Sequence, residues 1–244
     1  MKIQGDTALK DILIFKRVEK KYRIDESKKN MLLAAIAENL IPDPHGKSTI
    51  CSVYLDTPDR LLIRNSIEAR TYKEKLRIRS YGTPKEETDV FLEIKKKYKG
   101  VVHKRRVKMP LKDALEYVKT GKTDTDNQIM REIDYAMRFY NHPAPSMLIA
   151  YERDAYFGKD DEGLRLTFDR NIRFREQDTD LTQGSFGEHI LPEGEYVLEI
   201  KTNGGMPLWL SNALDKLKIY PISFSKYANA HYMSIMSPVT KGEK

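Results

Sequence analysis

The chain has 244 residues and a single cysteine, Cys51, inside the apolar run STICSVYL. One thiol excludes a disulfide within the chain, and its apolar neighbours favour a buried strand position over a catalytic thiol. Long hydrophobic runs are missing as well. No window approaches the roughly 18 apolar residues of a membrane-crossing helix. The N-terminal MKIQGDTALKDILIF lacks the apolar centre and small-residue cleavage site of a secretory leader. A soluble, cytoplasmic protein is expected. The five histidines (His45, His103, His142, His189 and His231) show no metal-ligand spacing. His45-Gly46-Lys47-Ser48 contains the GKS of a phosphate loop, but Ile41 stands where its first glycine belongs, and a strand follows where a helix is required. There is no internal repeat, low-complexity tract or linker-like shift in composition. The expectation is therefore one domain over residues 1–235 and a disordered tail at 236–244.

Charge is abundant. Lys and Arg number 43 against 36 Asp and Glu, for a net charge of +7 and a pI near 9.2. This balance points to an anionic partner: nucleic acid, a membrane surface or phosphorylated small molecules. The basic run HKRRVK has no RNP-type aromatic pair beside it, so nucleic acid is not expected.

The densest cations lie between Lys73 and Lys108, in three runs with the period-two alternation of strands. Lys73, Lys75, Arg77 and Arg79 share one face of the first run, with Leu76 and Ile78 opposite. Glu93, Lys95 and Lys97 oppose Leu92 and Ile94 in the second. Lys104, Arg106 and Lys108 oppose Val107 and Met109 in the third. Like charges on facing strands repel, so such a field calls for water or a polyanion to screen it.

Further strands are expected at 15–24, 48–56, 146–157, 164–174 and 195–202. Helices are expected from Asp25 or Ser27 as cap to about residue 40, at 57–67 with Pro58 in the first turn, at 111–119 and 127–140, at 207–218, and after Ser225. IPDPHG is expected to be a loop, as is most of 176–194, and Lys99-Gly100 a tight hairpin. The fold class is α+β. Some eight strands carry polar faces of Arg, Lys, Glu, Asp and Thr. An open antiparallel sheet with one wet face accounts for this. Closure into a barrel with charges inside and helices outside also accounts for it, and for the scarcity of Ser, Asn and Gln on those faces. The carboxylates among the cations, Glu19, Glu93 and Glu199, read either as cross-strand ion pairs or as holders of a divalent cation that binds phosphate.

The motifs EKKY (19–22), YLDT (54–57), LRIR (76–79), FLEIK (91–95), VHKRR (102–106), YERDAY (151–156), LRLTFD (164–169), VLEIK (197–201) and FSKY (224–227) occur in an order that resembles the catalytic domain of the vacuolar transporter chaperone (VTC) polyphosphate polymerases, a branch of the triphosphate tunnel metalloenzymes. The resemblance implies a closed, eight-stranded antiparallel barrel with helices packed outside. It implies transfer of the γ-phosphoryl group of ATP to inorganic polyphosphate, with Mn2+ or Mg2+ held by Glu199. By motif match, Lys21, Arg77, Arg79, Lys95, Lys104, Arg153 and Lys226 are the expected phosphate-binding cations, with Arg106, Arg165 and Lys201 beside them. Arg77, Arg79, Lys95, Arg153 and Glu199 are the expected catalytic set. Ser223 stands where the family has a second lysine. The family's regulatory SPX domain and membrane segments are not in this sequence, so any membrane role calls for a membrane-protein partner. Hydrolysis of a triphosphate and non-catalytic polyanion binding are the alternatives. Hydrolytic relatives carry E-x-E-x-K in the first strand; Arg17-x-Glu19-x-Lys21 exchanges a metal-binding carboxylate for a cation, which favours the polymerase.

Overall fold

A computed structural model describes residues 17–69, 71–99 and 101–236. Along the chain these form β1 (Arg17–Asp25), α1 (Glu26–Ile36), β2 (Leu40–Asp56), α2 (Leu61–Glu68), β3 (Tyr72–Tyr81), β4 (Asp89–Tyr98), β5 (Val101–Pro110), α3 (Leu111–Thr120), α4 (Gln128–Phe139), β6 (Ala144–Gly158), β7 (Arg165–Arg175), β8 (Glu188–His189), β9 (Glu195–Asn203), α5 (Leu208–Lys216), β10 (Pro221–Ile222) and α6 (Lys226–Met236). Phe15 and Lys16 of the first expected strand, Gly100 of the expected hairpin and the tail from 237 lie outside the described residues. No helix among the described residues is long and apolar enough to cross a membrane.

A single antiparallel sheet takes every strand, in the order β10-β1-β9-β7-β6-β2-β3-β4-β5, with β8 on β7. The architecture is thus α+β, but two expectations need correction. The sheet has ten strands, not eight. Its end strands, β10 and β5, do not pair with each other among the described residues, so it is not a closed barrel. β10 contributes only two residues, opposite Lys21 and Tyr22. The first of them, Pro221, has no N–H with which to extend the ladder.

Local chemistry sets the element ends. The Asp25 carboxylate accepts from the Lys28 N–H at 2.7 Å and caps α1, and Asn127 caps α4 through the Met130 N–H at 2.9 Å. Pro58 falls in the turn before α2, not in its first turn. The buried Asp56 carboxylate caps α2, accepting from Leu62 N–H at 2.8 Å and Ile63 N–H at 3.0 Å. IPDPHG is part of β2, not a loop: Pro42 lies opposite Tyr156 of β6, and a register shift follows between Pro42 and Lys47.

Alternation along the strands separates two chemistries. Leu76, Ile78, Leu92, Ile94, Val107 and Met109 pack under α2, α3 and α4. Tyr22, Leu166, Phe168, Leu198 and Ile200 pack under α1 and α5. Each such side chain, fully buried, contributes about 1.5–3 kcal/mol. α1, α3, α4 and α5 lie on the apolar face as expected, while α2 places Leu62 in that core and Ile63 in the cluster of α6. α6 does not lie on the apolar face: its Tyr227 and Ala230 join Ile50, Tyr54, Ile149 and Tyr151 on the other, polar side of the sheet. There the helix covers an apolar stretch next to the charged one.

Candidate functional site

The cations stand in cross-strand rungs. Tyr54, Arg77, Glu93 and Arg106 are mutually opposite on β2, β3, β4 and β5. One rung along come Lys75, Lys95 and Lys104. On the other side come Ser52, Arg79, Phe91 and Lys108. The second half of the sheet has Lys21, Glu199 and Thr167 in one rung and Glu19, Lys201 and Arg165 in the next. Arg153 faces Asp169. The sheet curls enough for the halves to interact: Lys95 of β4 feels the charges of Glu19, Lys21 and Glu199. The segment leading into α6 spans the gap. Lys21 Nζ donates to the Phe224 carbonyl at 3.0 Å, and Lys75 Nζ to the Ser225 hydroxyl at 3.0 Å.

Each buried carboxylate gathers several cations. Glu93, 1% exposed, accepts from Arg77 Nε at 2.8 Å and Nη2 at 2.6 Å; Lys104 Nζ lies at 2.7 Å and Arg79 Nε at 3.9 Å. Burial opposes its ionisation, yet Arg77, Arg79 and Lys104 outweigh burial and bring its pKa down to about 2. Asp169 is fully buried, accepts from Arg153 at 2.6 and 2.8 Å, and pairs with Lys226. Lys226 and Arg153 also lie over the Tyr151 ring, at 4.4 and 5.2 Å from its centroid. Glu199 has Lys201 Nζ at 2.6 Å and Arg153 Nη2 at 3.9 Å. Burial opposes its charge too, but Lys201, Lys226 and Lys21 hold its carboxyl well below the usual range. Glu19 reaches Lys21 at 3.3 Å and Lys201 at 4.0 Å. Glu19 and Glu93 are therefore members of cross-strand ion pairs.

Other cations have no such partner. Lys75, Lys95 and Arg106 make no ion pair among the described residues; the Arg106 guanidinium lies over Phe91 at 4.4 Å. Burial depresses the Lys75 pKa to about 8, with Lys95, Lys21 and Arg77 adding to it against the opposing pull of Tyr54. Burial likewise takes Lys104 to about 8 against the pull of Glu93. A half-buried ammonium without a carboxylate raises the energy of the empty site and is relieved by an anion.

Lys21, Arg77, Arg79, Lys95, Arg153, Lys201, Lys226 and Glu199 converge in this interior, and Lys104 reaches it through Glu93. Arg106 sits toward the sheet edge. Arg165 turns elsewhere, to Asp43 at 3.0 Å and over the Phe157 ring at 5.0 Å. The expected site residues did not include Lys75, Tyr54, Tyr151 or Asp169. Alternation signalled Lys75, which shares a face with Arg77, and Tyr151, which shares one with Arg153. Tyr54 accepts from Arg77 Nη1 at 3.1 Å. Burial works against its ionisation, but Arg77, Lys75 and Arg79 lower its hydroxyl to about 8.

No group of three His, Cys, Asp or Glu among the described residues could chelate a metal unaided. The Glu199 carboxylate has the Thr167 hydroxyl opposite it, a buried oxygen with no hydrogen-bond partner among the described residues. An ion such as Mg2+ or Mn2+ would have there one carboxylate, which is paired with Lys201 at 2.6 Å, and one hydroxyl, and would take its other ligands from phosphate and water.

The family model for the VTC domain matches residues 16–235. No protein of curated function matches the sequence. Among solved structures, a candidate adenylate cyclase from Bacillus halodurans superposes with a TM-score of 0.53 at 12% identity, covering 86% of this chain and 93% of that one. A candidate adenylyl cyclase from Hippeastrum, with a dominant triphosphatase activity, superposes with a TM-score of 0.53 at 17% identity, covering 88% of this chain and 95% of that one. At these identities the likeness is one of fold.

Proposed function

Since this chain belongs to the VTC domain family, we propose that it transfers the γ-phosphoryl group of ATP to a growing inorganic polyphosphate chain. The observation that carries this is the excess of positive charge in the interior: Lys75 stands opposite Lys95 and Lys95 opposite Lys104, and of the three only Lys104 makes an ion pair, while Glu19 and Glu199 act on Lys95 from farther off. A linear polyanion laid along the rungs supplies the missing negative charge.

Arg79, beside Arg77 on one face of β3, and the donors that Arg77 and Arg153 keep after pairing with Glu93 and Asp169 are suited to phosphate oxygens. Lys21, Lys95 and Lys226 add point charges. Together they would hold donor and acceptor phosphates in line. A terminal oxygen of the acceptor forms the new bond to the γ-phosphorus as the β–γ bridge breaks and ADP leaves with the bridging oxygen. The acceptor oxygen is already anionic, so no general base is needed, and alignment with charge neutralisation supplies the rate gain. Glu199, with Thr167 beside it, would hold Mn2+ or Mg2+, which neutralises charge on the phosphate oxygens.

The test is the product made from ATP and Mn2+. Long chains on a polyphosphate gel are expected. Orthophosphate without chains supports the second reading, a triphosphatase, which the activity of the Hippeastrum protein favours. Neither product, with ATP still bound, leaves a polyanion-binding module.

A further inference from the structure

Lys75 belongs to no motif of the chain, yet it occupies a distinctive position. It stands opposite Lys95, which stands opposite Lys104. Opposed like charges destabilise a sheet, and β3 and β4 supply no carboxylate to this pair: Glu93, one rung away, is taken up by Arg77, Arg79 and Lys104. The remaining groups facing Lys75 are the Ser225 hydroxyl, the Tyr227 ring at 5.8 Å, and the charges of Tyr54, Lys21 and Arg77. None is a permanent anion; Glu19 and Glu199 act on the Lys95 side only, and each is already paired with a lysine of its own.

The pair also has a definite place along the interior. Arg77 is one rung to one side. Lys73 and Lys97 form the rung on the other. Lys97 lines a cleft of about 320 Å3 shared with Glu19, Lys20, Lys21, Ser223 and Phe224. Alternate residues of a strand are roughly 6.6 Å apart. Cations thus continue past the arginines toward that cleft at strand spacing, farther than the reacting phosphate alone requires.

We propose that Lys75 adds a further phosphate subsite beside Lys95 and one rung from Arg77, which takes a non-reacting phosphate of a linear polyphosphate. This deepens the function proposed above and rests on it. The subsite favours a phosphate chain over a single phosphate, because each further rung of cations adds an interaction that only a longer anion collects in full. The competing role for Lys75 is a structural tether to Ser225. The two roles predict opposite effects on the empty protein. A tether lost lowers stability, whereas removing one of two opposed ammoniums raises it.

The experiment compares wild type, K75M, K75R and S225A, measuring tripolyphosphate affinity by calorimetry at low salt and thermal stability without anion. In K75M, affinity is expected to fall by about tenfold, while the melting temperature without anion holds or rises. K75R restores binding, and S225A binds as wild type does. K75M with wild-type affinity overturns the subsite. So does a K75M melting point that falls together with an equal loss of affinity in S225A. Wild type that fails to bind tripolyphosphate overturns the functional reading itself, and the subsite with it.

Discussion

Tyr227 of α6 lies flat against Tyr54 of β2, with ring centroids 4.2 Å apart and planes 20° from parallel, and its hydroxyl donates to the buried Asp56 carboxylate at 2.8 Å. Asp56 is also the cap of α2. One carboxylate thus ties the YLDT segment to the FSKY segment and fixes the helix that delivers Lys226 to Asp169. Y227F keeps the stack and loses the hydrogen bond. It should lower unfolding free energy by about 1–3 kcal/mol, because Asp56 loses a buried donor. Y227A, which removes the ring as well, should cost about 3–5 kcal/mol. Urea unfolding of both variants checks this. Equal stability in Y227F and wild type would show that the contact holds nothing in place.

Glu199 is surrounded by cations that survive its neutralisation. E199Q should therefore keep ATP bound while losing metal-dependent turnover, by more than the roughly 10–100-fold that loss of an outer partner produces. ATP affinity and Mn2+-dependent rate, measured on the same preparation, separate the two effects. Turnover that is unchanged and still metal-dependent removes Glu199 from the metal site.

Glu93 makes the fold acid-sensitive in a defined window. Its folded pKa is lowered from an ordinary 4.5 to about 2. The folded state therefore holds its proton less tightly than the unfolded chain does. The stability this contributes is complete above the unfolded value and is lost as pH falls from about 4.5 toward about 2. E93Q should lose about 3–5 kcal/mol at neutral pH, since Arg77, Arg79 and Lys104 are left without their carboxylate. It should also show a flatter acid limb in unfolding curves taken between those values. An acid limb as steep as that of wild type would place the sensitivity elsewhere.

Unbalanced interior charge should make stability depend on anions. Tripolyphosphate at about 100 times its Kd should stabilise the protein by about 2.7 kcal/mol. With the tripolyphosphate concentration held there, the gain should shrink with added salt, because Kd rises as the screening length falls from about 10 Å at 0.1 M to about 3 Å at 1 M. Melting curves with and without tripolyphosphate, at both salt levels, test this. A gain that ignores salt would argue for contacts other than charge.

The alternation of LRIR and FLEIK was legible because strand geometry admits only two faces: once Leu76 and Ile78 turn to the core, Arg77 and Arg79 must share the other side. Glu93 was legible only as one of two possibilities. Its pairing with Arg77 depends on the register of β3 against β4, which neither strand encodes alone. The start of β2 was hidden by Pro42, Pro44 and Gly46. They are tolerated there because β3 pairs only with Ile50–Leu55, so the proline positions have no neighbour on that side. The side on which α6 packs was not legible either. Tyr227 and Ala230 would suit any apolar surface, and only the Tyr54 ring and the Asp56 carboxylate select the polar side. The sheet's open ends follow from the brevity of β10, which periodicity does not report.

The free margin of β5 has a further consequence. An unpaired strand normally recruits a neighbour, either a second molecule or a misfolded one. Along β5 the exposed residues His103, Lys104, Arg105 and Arg106 follow one another without a break. A strand docking there would meet Lys104 and Arg106 on one face and Arg105 on the other. The border is thereby protected from aggregation by its own like charges.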